Sequence, residues 1–280
     1  MKILLTGASG FIGGHILRAL QAAGHEVVPI TRRHGVDFTQ MLTPEAWLPY
    51  LKGVDAVINS VGIIAETRGQ TFAALHYHAP AALFRACVMT GVLRVVQISA
   101  LGADANAFTP YQLSKQAADE VLRKLPLEWF VLRPSLVYGT GGASMALFQR
   151  MANLPVIPLI GAGTQRIQPV HVSDVVATVL HCLSVASSSR RTVDVVGAAP
   201  LTFVAWLQTL RQASGKPPAL TVRIPLSLIM ASAQVMRFLI PLLHPDNVRM
   251  LQHGNTADVQ PLAAFLGRMP LSVEKGLCCI

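Results

Sequence analysis

Two hydrophobic rhythms alternate along this chain. Short unbroken apolar runs are followed by longer stretches in which apolar residues recur every three or four positions. Ile3-Leu4-Leu5 is the first run, and His15–Gly24 behind it has helical spacing and ends on a glycine suited to a C-cap. The same reading makes Glu26–Thr31, Val36–Phe38, Asp55–Asn59 and Val92–Ser99 strands two to five, with Glu128–Gly139 a sixth running into a loop. Helices are predicted over Pro44–Leu51 and Leu75–Val88, from Tyr111 onward, and over Thr202–Ala213 before Gly215, with a late strand at Thr192–Val196. Strands alternating with helices predict an α/β fold built on a doubly wound parallel sheet. Residues 1–140, completed by 165–214, are expected to form its core. Residues 141–164 and 215–280 are expected to form a small C-terminal lobe over the carboxyl edge of the sheet, with the substrate cleft between the two.

The first strand enters Thr6-Gly7-Ala8-Ser9-Gly10-Phe11-Ile12-Gly13. Gly7 permits a tight turn, Gly10 lets backbone approach a pyrophosphate, and Gly13 lets the helix pack close to its strand. The helix N-terminus then offers unpaired N–H groups and positive dipole to phosphate. Thr6, Gly7, Gly10, Phe11, Ile12 and Gly13 are therefore assigned to a dinucleotide. At the end of the second strand, where an acidic residue would grip the ribose 2′-hydroxyl of NAD, stand Thr31 and then Arg32-Arg33. Two guanidiniums there predict NADP in preference to NAD, since a charge-assisted hydrogen bond to a 2′-phosphate contributes about 1.5–3 kcal/mol.

Tyr111-Gln-Leu-Ser-Lys115 places a phenol and an ammonium on one helix face at i and i+4. A phenol of ordinary pKa near ~10 is a poor acid–base group at neutral pH. A neighbouring Lys115 cation and an oxidised nicotinamide are both expected to lower that pKa, making Tyr111 the acid/base and Lys115 its tuner.

Composition narrows the partners. With 52% hydrophobic and 13% charged residues the chain is a well-buried globular protein. The net charge of +9 suits anionic partners, but no dense basic run with interleaved aromatics is present, so nucleic acid is excluded in favour of a small-molecule substrate. Cys87 and Cys182 fall in predicted helices, Cys278 and Cys279 on the tail; none has metal-ligand spacing, and no metal site is expected. The N-terminus enters the fold directly, which predicts a cytoplasmic protein. Residues 224–243 are long and apolar but interrupted by Pro225, Gln234, Arg237 and Pro241. A buried helix is the default there, and a peripheral membrane or protein-complex contact the alternative. Oligomeric state is left open.

The Thr-Gly-x-x-Gly-x-x-Gly spacing followed by Tyr-x-x-x-Lys resembles the short-chain dehydrogenase/reductase superfamily, in its extended and atypical, epimerase/dehydratase-like branches. The resemblance implies that Asp37 contacts the adenine amino group with the backbone of Phe38 beside it. It also implies that Ser60-Val61-Gly62 packs against the cofactor ribose, that Lys115 holds the nicotinamide ribose, and that Pro134, in Leu-Arg-Pro-Ser-Leu-Val-Tyr-Gly, flanks the nicotinamide. Where family members commonly carry Asn, this chain has His76, read as a structural hydrogen-bonder. The family's substrate-binding hydroxyl after the fifth strand is displaced: Ala100 or Leu101 occupies its place, Ser99, one or two places early, is the nearest candidate or else points into the sheet, and Thr109 and Ser114 are the substitutes. Ser173 and Asp174 read as helix-capping residues. The C-terminal region resembles the subgroup containing the nucleotide-binding accessory subunit of respiratory complex I. Three functions follow: an NADP-dependent oxidoreductase of a small carbonyl or alcohol; a non-catalytic nucleotide-binding sensor, assembly factor or structural subunit; and an NAD-dependent sugar-nucleotide epimerase or dehydratase.

Overall fold

The computed structural model describes residues 1–184, 188–225 and 244–279. They divide into two compact units: Met1–Pro134 with Val175–Val195, and Ser135–Asp174 with the residues from Val196 onward.

The first unit is built on six parallel strands. β1 (Lys2–Thr6), β2 (Glu26–Ile30), β3 (Ala56–Asn59), β4 (Arg94–Ile98) and β5 (Glu128–Pro134) are joined by the strand Arg191–Val195. Their spatial order is β2, β1, β3, β4, β5 and then Arg191–Val195. The order reverses between β1 and β3, and a crevice opens at such a switch point. The central strands are buried on both faces, as their solid apolar runs require: Ile3, Leu4, Leu5, Val57, Ile58, Val95 and Val96 have no exposed surface.

Three polar side chains lie at the C-terminal ends of these strands. Thr6, Asn59 and Gln97 are register partners on β1, β3 and β4, and each is fully buried. Thr6 Oγ1 donates to Asn59 Oδ1 at 2.5 Å, and Asn59 Nδ2 donates to Gln97 Oε1 at 2.7 Å. The chain of bonds crosses the sheet beneath the crevice and satisfies the Thr6 hydroxyl, the Asn59 amide and Gln97 Oε1, leaving Gln97 Nε2 without a partner among the described residues.

Several predicted elements differ. Val36–Phe38 is not a strand: Asp37 caps a single 3₁₀ turn, Phe38–Gln40, with Thr39 N–H donating to Asp37 Oδ1 at 2.9 Å. Among the described residues β2 is consequently the edge of the sheet. Pro44–Leu51 is divided into a four-residue helix, Pro44–Trp47, and a 3₁₀ turn, Leu48–Tyr50. The predicted helix Leu75–Val88 begins instead as a π-turn over Ala73–His78 and continues as an α-helix over Ala79–Thr90. Pro80 explains the change, because it has no N–H to give the His76 carbonyl and its ring crowds that oxygen, so the turn widens.

The second unit packs the helices Ala143–Ala152 and Phe203–Ala213 around Tyr138, Phe203, Trp206, Leu207 and Leu210. Residues 165–174 and 196–214, expected to complete the first core, belong here; only the strand Arg191–Val195 extends the sheet. Ser173 and Asp174 stand in the first turn of the helix Val172–Leu183. Asp174 is fully buried, accepts from Leu271 N–H at 2.9 Å and pairs with Arg268 at 2.8 Å, and Ser173 Oγ meets His171 Nδ1 at 2.7 Å. The apolar segment 224–243 lies outside the described residues beyond Pro225. No helix among the described residues is long and apolar enough to cross a membrane.

Replacing Asn59 by Leu removes the middle of the Thr6–Asn59–Gln97 chain and leaves buried groups unpaired at about 1–3 kcal/mol each. Urea unfolding is expected to show that loss as a lower midpoint with an unchanged slope.

Candidate nucleotide and catalytic site

Gly7 follows β1 with φ +70°, a conformation that costs glycine least, and Gly10 N–H donates back to Gly7 O at 2.9 Å. Gly10 then caps the twelve-residue helix α1 (Phe11–Ala22). No side chain caps that helix and its first turn carries no acidic residue, so its N-terminus is left open to an anion. The turn has no room for side chains at the two outer glycines. A Cβ on Gly13 would sit 2.1 Å from Gly7 O, and one on Gly7 would sit 2.8 Å from Ser60 O. Ser60 closes the contact by donating from Oγ to Thr6 O at 2.6 Å.

This turn forms one wall of a cleft of about 250 Å³ within the first unit. Gly7 and Gly10 lie on the phosphate side, Arg32, Asp37 and Phe38 on the β2 side, and Ser60, Val61 and Gly62 at the end of β3. These sequence-assigned residues are therefore brought together. Others are not on the wall. Thr6 is buried and bonded to Asn59, Gly13 is buried beneath the turn, Phe11 packs its ring on His15, and Ile12, Arg33 and Pro134 do not line the cleft. Thr31 lines it in the place of an acidic residue and begins the 3₁₀ turn Arg32–His34. Both arginines are exposed, and neither guanidinium makes an ion pair or hydrogen bond among the described residues. Ser9, Ile63 and Gln70 also line the cleft but were not anticipated. Gln70 is set there by a tight turn in which Thr67 and Gln70 exchange backbone hydrogen bonds at 2.9 and 3.2 Å; Gly69 was the sequence signal for it.

The cradle fits a dinucleotide: an uncapped helix N-terminus, glycines that admit close backbone, and a free guanidinium beyond β2 are the donor set for phosphates.

The catalytic candidates lie on α4 (Pro110–Arg123), named as fourth after α1, α2 (Pro44–Trp47) and α3 (Ala79–Thr90). Thr109 caps α4, receiving Gln112 N–H and donating to Gln112 Oε1, so its hydroxyl is committed. Tyr111 is half-buried, edge-on to Phe72 and His76 with ring centroids 5.9 and 5.4 Å away. Its phenol makes no hydrogen bond among the described residues, and burial pushes its pKa up to about 12. The expected depression by Lys115 is not what the free protein shows. The Lys115 ammonium is buried and donates to Val61 O at 3.0 Å and Ile98 O at 3.1 Å, leaving one of its three N–H groups unassigned. Burial lowers its pKa, opposed by the charge of Asp119.

His76 stands on the π-turn and is fixed by two hydrogen bonds from outside it. Its Nε2 accepts from Ile63 N–H at 3.0 Å, which puts the ring proton on Nδ1, 3.0 Å from Ser114 Oγ. Ser114 in turn donates to Tyr111 O at 2.8 Å, so its hydroxyl is also committed. Burial, reinforced by the Lys115 cation, lowers the His76 pKa to about 2. This neutral imidazole is a strut between the cleft wall at Ile63 and the Tyr111 turn, in keeping with the structural role read from sequence.

Ser99 departs most from expectation. It is buried, and its hydroxyl donates to Asp119 Oδ2 at 2.5 Å instead of facing Tyr111. Its N–H bonds to Leu132 O at 2.7 Å, which holds it in sheet register and turns the side chain under α4.

A model described as the NAD dependent epimerase/dehydratase family matches residues 3–196. The chain belongs to this family. Its members are named for a nicotinamide cofactor, in agreement with the cleft. Among relatives, a ceramide reductase of Caulobacter vibrioides is 29% identical over 187 residues, covering 62% of this chain and 58% of the relative. A mitochondrial NADH dehydrogenase [ubiquinone] 1 alpha subcomplex subunit 9 of Arabidopsis thaliana is 31% identical over 205 residues, covering 65% and 50%. A 2-alkyl-3-oxoalkanoate reductase of Stenotrophomonas maltophilia is 27% identical over 221 residues, covering 66% and 65%. The chain thus spans between about half and two thirds of these relatives' length. Two solved structures share the fold with TM-scores of 0.76: MoeE5 in complex with UDP-glucuronic acid and NAD (21% identity, 100% of this chain and 97% of that one) and UDP-N-acetylglucosamine 4-epimerase from Bacillus cereus (19%, 99% and 96%).

Protonation of His76 must break its bond from Ile63, so acid selects the unfolded chain. With the folded pKa below the unfolded value, the unfolded state binds the extra proton between about pH 6.5 and pH 2, and stability falls as pH falls through that window. Relative to His76→Asn, the wild type is expected to lose about 1.4 kcal/mol more per pH unit below pH 6, read from urea midpoints.

Proposed function

We propose that this chain is a nicotinamide-dependent reductase that prefers NADP(H) and protonates the oxygen of a substrate carbonyl through Tyr111. One observation carries the reading: Lys115, one helical turn from Tyr111, reaches the carbonyl of Val61, which itself lines the nucleotide cleft. The face of α4 that bears the phenol is thereby anchored to the wall that would hold the cofactor.

Gly7, Gly10 and the start of α1 would hold the pyrophosphate, Arg32 the 2′-phosphate, and Ser60–Gly62 with the remaining Lys115 N–H the nicotinamide ribose. When bound, the nicotinamide supplies the two-electron reductant or oxidant. The phenol, held protonated by burial, is suited to give its proton to the oxygen of a carbonyl being reduced, so reduction is the direction the free site favours. With Ser99, Thr109 and Ser114 all committed elsewhere, Tyr111 is the hydroxyl left to polarise that oxygen. Similarity to a ceramide reductase and a 2-alkyl-3-oxoalkanoate reductase supports an alkyl-bearing oxo compound as substrate. Arg32 weighs against the NAD-dependent sugar-nucleotide reading.

A second reading, a non-catalytic nucleotide-binding subunit of a larger assembly, is favoured by the loss of Ser99 to Asp119 and by the similarity to the NADH dehydrogenase subunit.

Calorimetric titration with NADPH and NADH tests the cofactor. Arg32→Ala is expected to weaken NADPH about 10–100-fold and NADH little, with a smaller effect of Arg33→Ala; equal losses for both nucleotides sink the phosphate role. With NADPH and a long-chain 3-oxo ester, Tyr111→Phe should abolish turnover while leaving NADPH affinity nearly unchanged. Tight NADPH binding without turnover of any 3-oxo substrate would move the second reading to first place.

A further inference from the structure

The end of β4 is joined to α4 at two consecutive residues. Ile98 gives its carbonyl to the Lys115 ammonium, and Ser99 gives its hydroxyl to the Asp119 carboxylate. Lys115 and Asp119 are four residues apart on one face of α4, and both are buried, Asp119 completely. No ion pair closes between them within 4.0 Å, and Asp119 Oδ1 has no hydrogen-bond partner. The catalytic proposal uses neither Ser99 nor Asp119, yet a buried carboxylate of this kind is costly unless something answers it. We propose that Asp119 is a positioning residue for Lys115, locking the carbonyl seat of the ammonium through Ser99 and supplying the buried negative charge that holds it as a cation beside the cleft.

The surroundings favour this pairing. An ammonium seated on two neutral carbonyls in a buried site loses its proton easily, and the charge that opposes this is that of Asp119. The other cations acting on Asp119 already have carboxylates of their own. Arg133 pairs with Asp194 at 2.6 Å and Asp104 at 3.4 Å, and Arg123 pairs with Glu120 at 2.6 Å. On the far side of Lys115 stands neutral His76, which contributes no counter-charge. Burial raises the Asp119 pKa to about 7, and the bond from Ser99 and the charges of Lys115, Arg123 and Arg133 oppose that rise, so Asp119 and Lys115 hold each other charged near neutral pH. Ser99, which sequence offers as a substrate-binding hydroxyl, is thus employed one layer beneath the site.

This inference rests on the reading that Lys115 serves a bound nucleotide, but its test reads the lysine directly. In protein labelled with ¹³C at lysine Cε, the Lys115 resonance, identified by its absence in Lys115→Arg, is followed as a function of pH. Asp119→Asn keeps an acceptor for Ser99 and removes the charge; it is expected to lower the Lys115 titration midpoint by about one pH unit or more. Ser99→Ala, which keeps the charge but releases the carboxylate, is expected to lower it by less, and it carries the test if Asp119→Asn does not fold. A Lys115 midpoint that moves in neither variant overturns the proposal. NADPH titration of the same proteins separates the two levels: a wild type that does not bind NADPH defeats the functional reading, whatever Lys115 does, whereas tight binding with an indifferent Lys115 defeats this inference alone.

Discussion

The contact between the turn after β1 and the end of β3 is the constraint on which the site depends. Gly7, Gly13 and Ser60 approach so closely that a methyl group on either glycine would overlap backbone or the Ser60 side chain. That closeness places the open end of α1 and the Ser60–Gly62 backbone on opposite sides of one narrow cleft. Behind it, Thr6, Asn59 and Gln97 bind the three strand ends together at fixed register. A ligand lying across the switch point therefore meets a floor that is hydrogen-bonded before it arrives, and little reorganisation is needed to receive it.

Around Tyr111, His76 and Lys115, burial dominates charge. The phenol of Tyr111 is held protonated, the imidazole of His76 neutral, and the ammonium of Lys115 pressed toward losing its proton, in each case first by removal from water. The electrostatic partners modulate that penalty and do not reverse it. Such an arrangement stores its acid–base character in the fold, so the chemistry of the site follows from how well the π-turn and α4 exclude solvent.

Much of this was legible in sequence, and the part that was not has identifiable physical causes. Glycine spacing and the four-residue step from Tyr111 to Lys115 are local patterns with direct geometric meaning, and they located the tight turn after β1 and the face of α4 that carries both side chains. Part of what sequence left hidden depended on partners distant in the chain. Ser99 was the nearest candidate for a substrate-binding hydroxyl, and its bond to Asp119, twenty residues on, had no local signal. The partners of Asp174 outside its own helix, Arg268 and Leu271 N–H, gave no local signal either. Val36–Phe38 has strand composition, but Asp37 prefers to cap the next turn, and that local bond outweighs the weak β-preference of three residues. The π-turn was hidden for a related reason: its cause, Pro80, lies after the residues it reshapes.

The absence of that strand has a consequence for the free chain in solution. β2 is left with one neighbour among the described residues, and an open parallel edge is a template for pairing with another molecule. Glu26 N–H is turned inward to Met1 O and Ile30 O inward to Gly7 N–H, so the alternation directs Val27 and Pro29 outward. Pro29 has no N–H to offer there, and an incoming strand would lose a rung where the ladder should continue. The proline that interrupts this apolar run thus takes a donor out of the one edge of the sheet that β2 leaves open among the described residues.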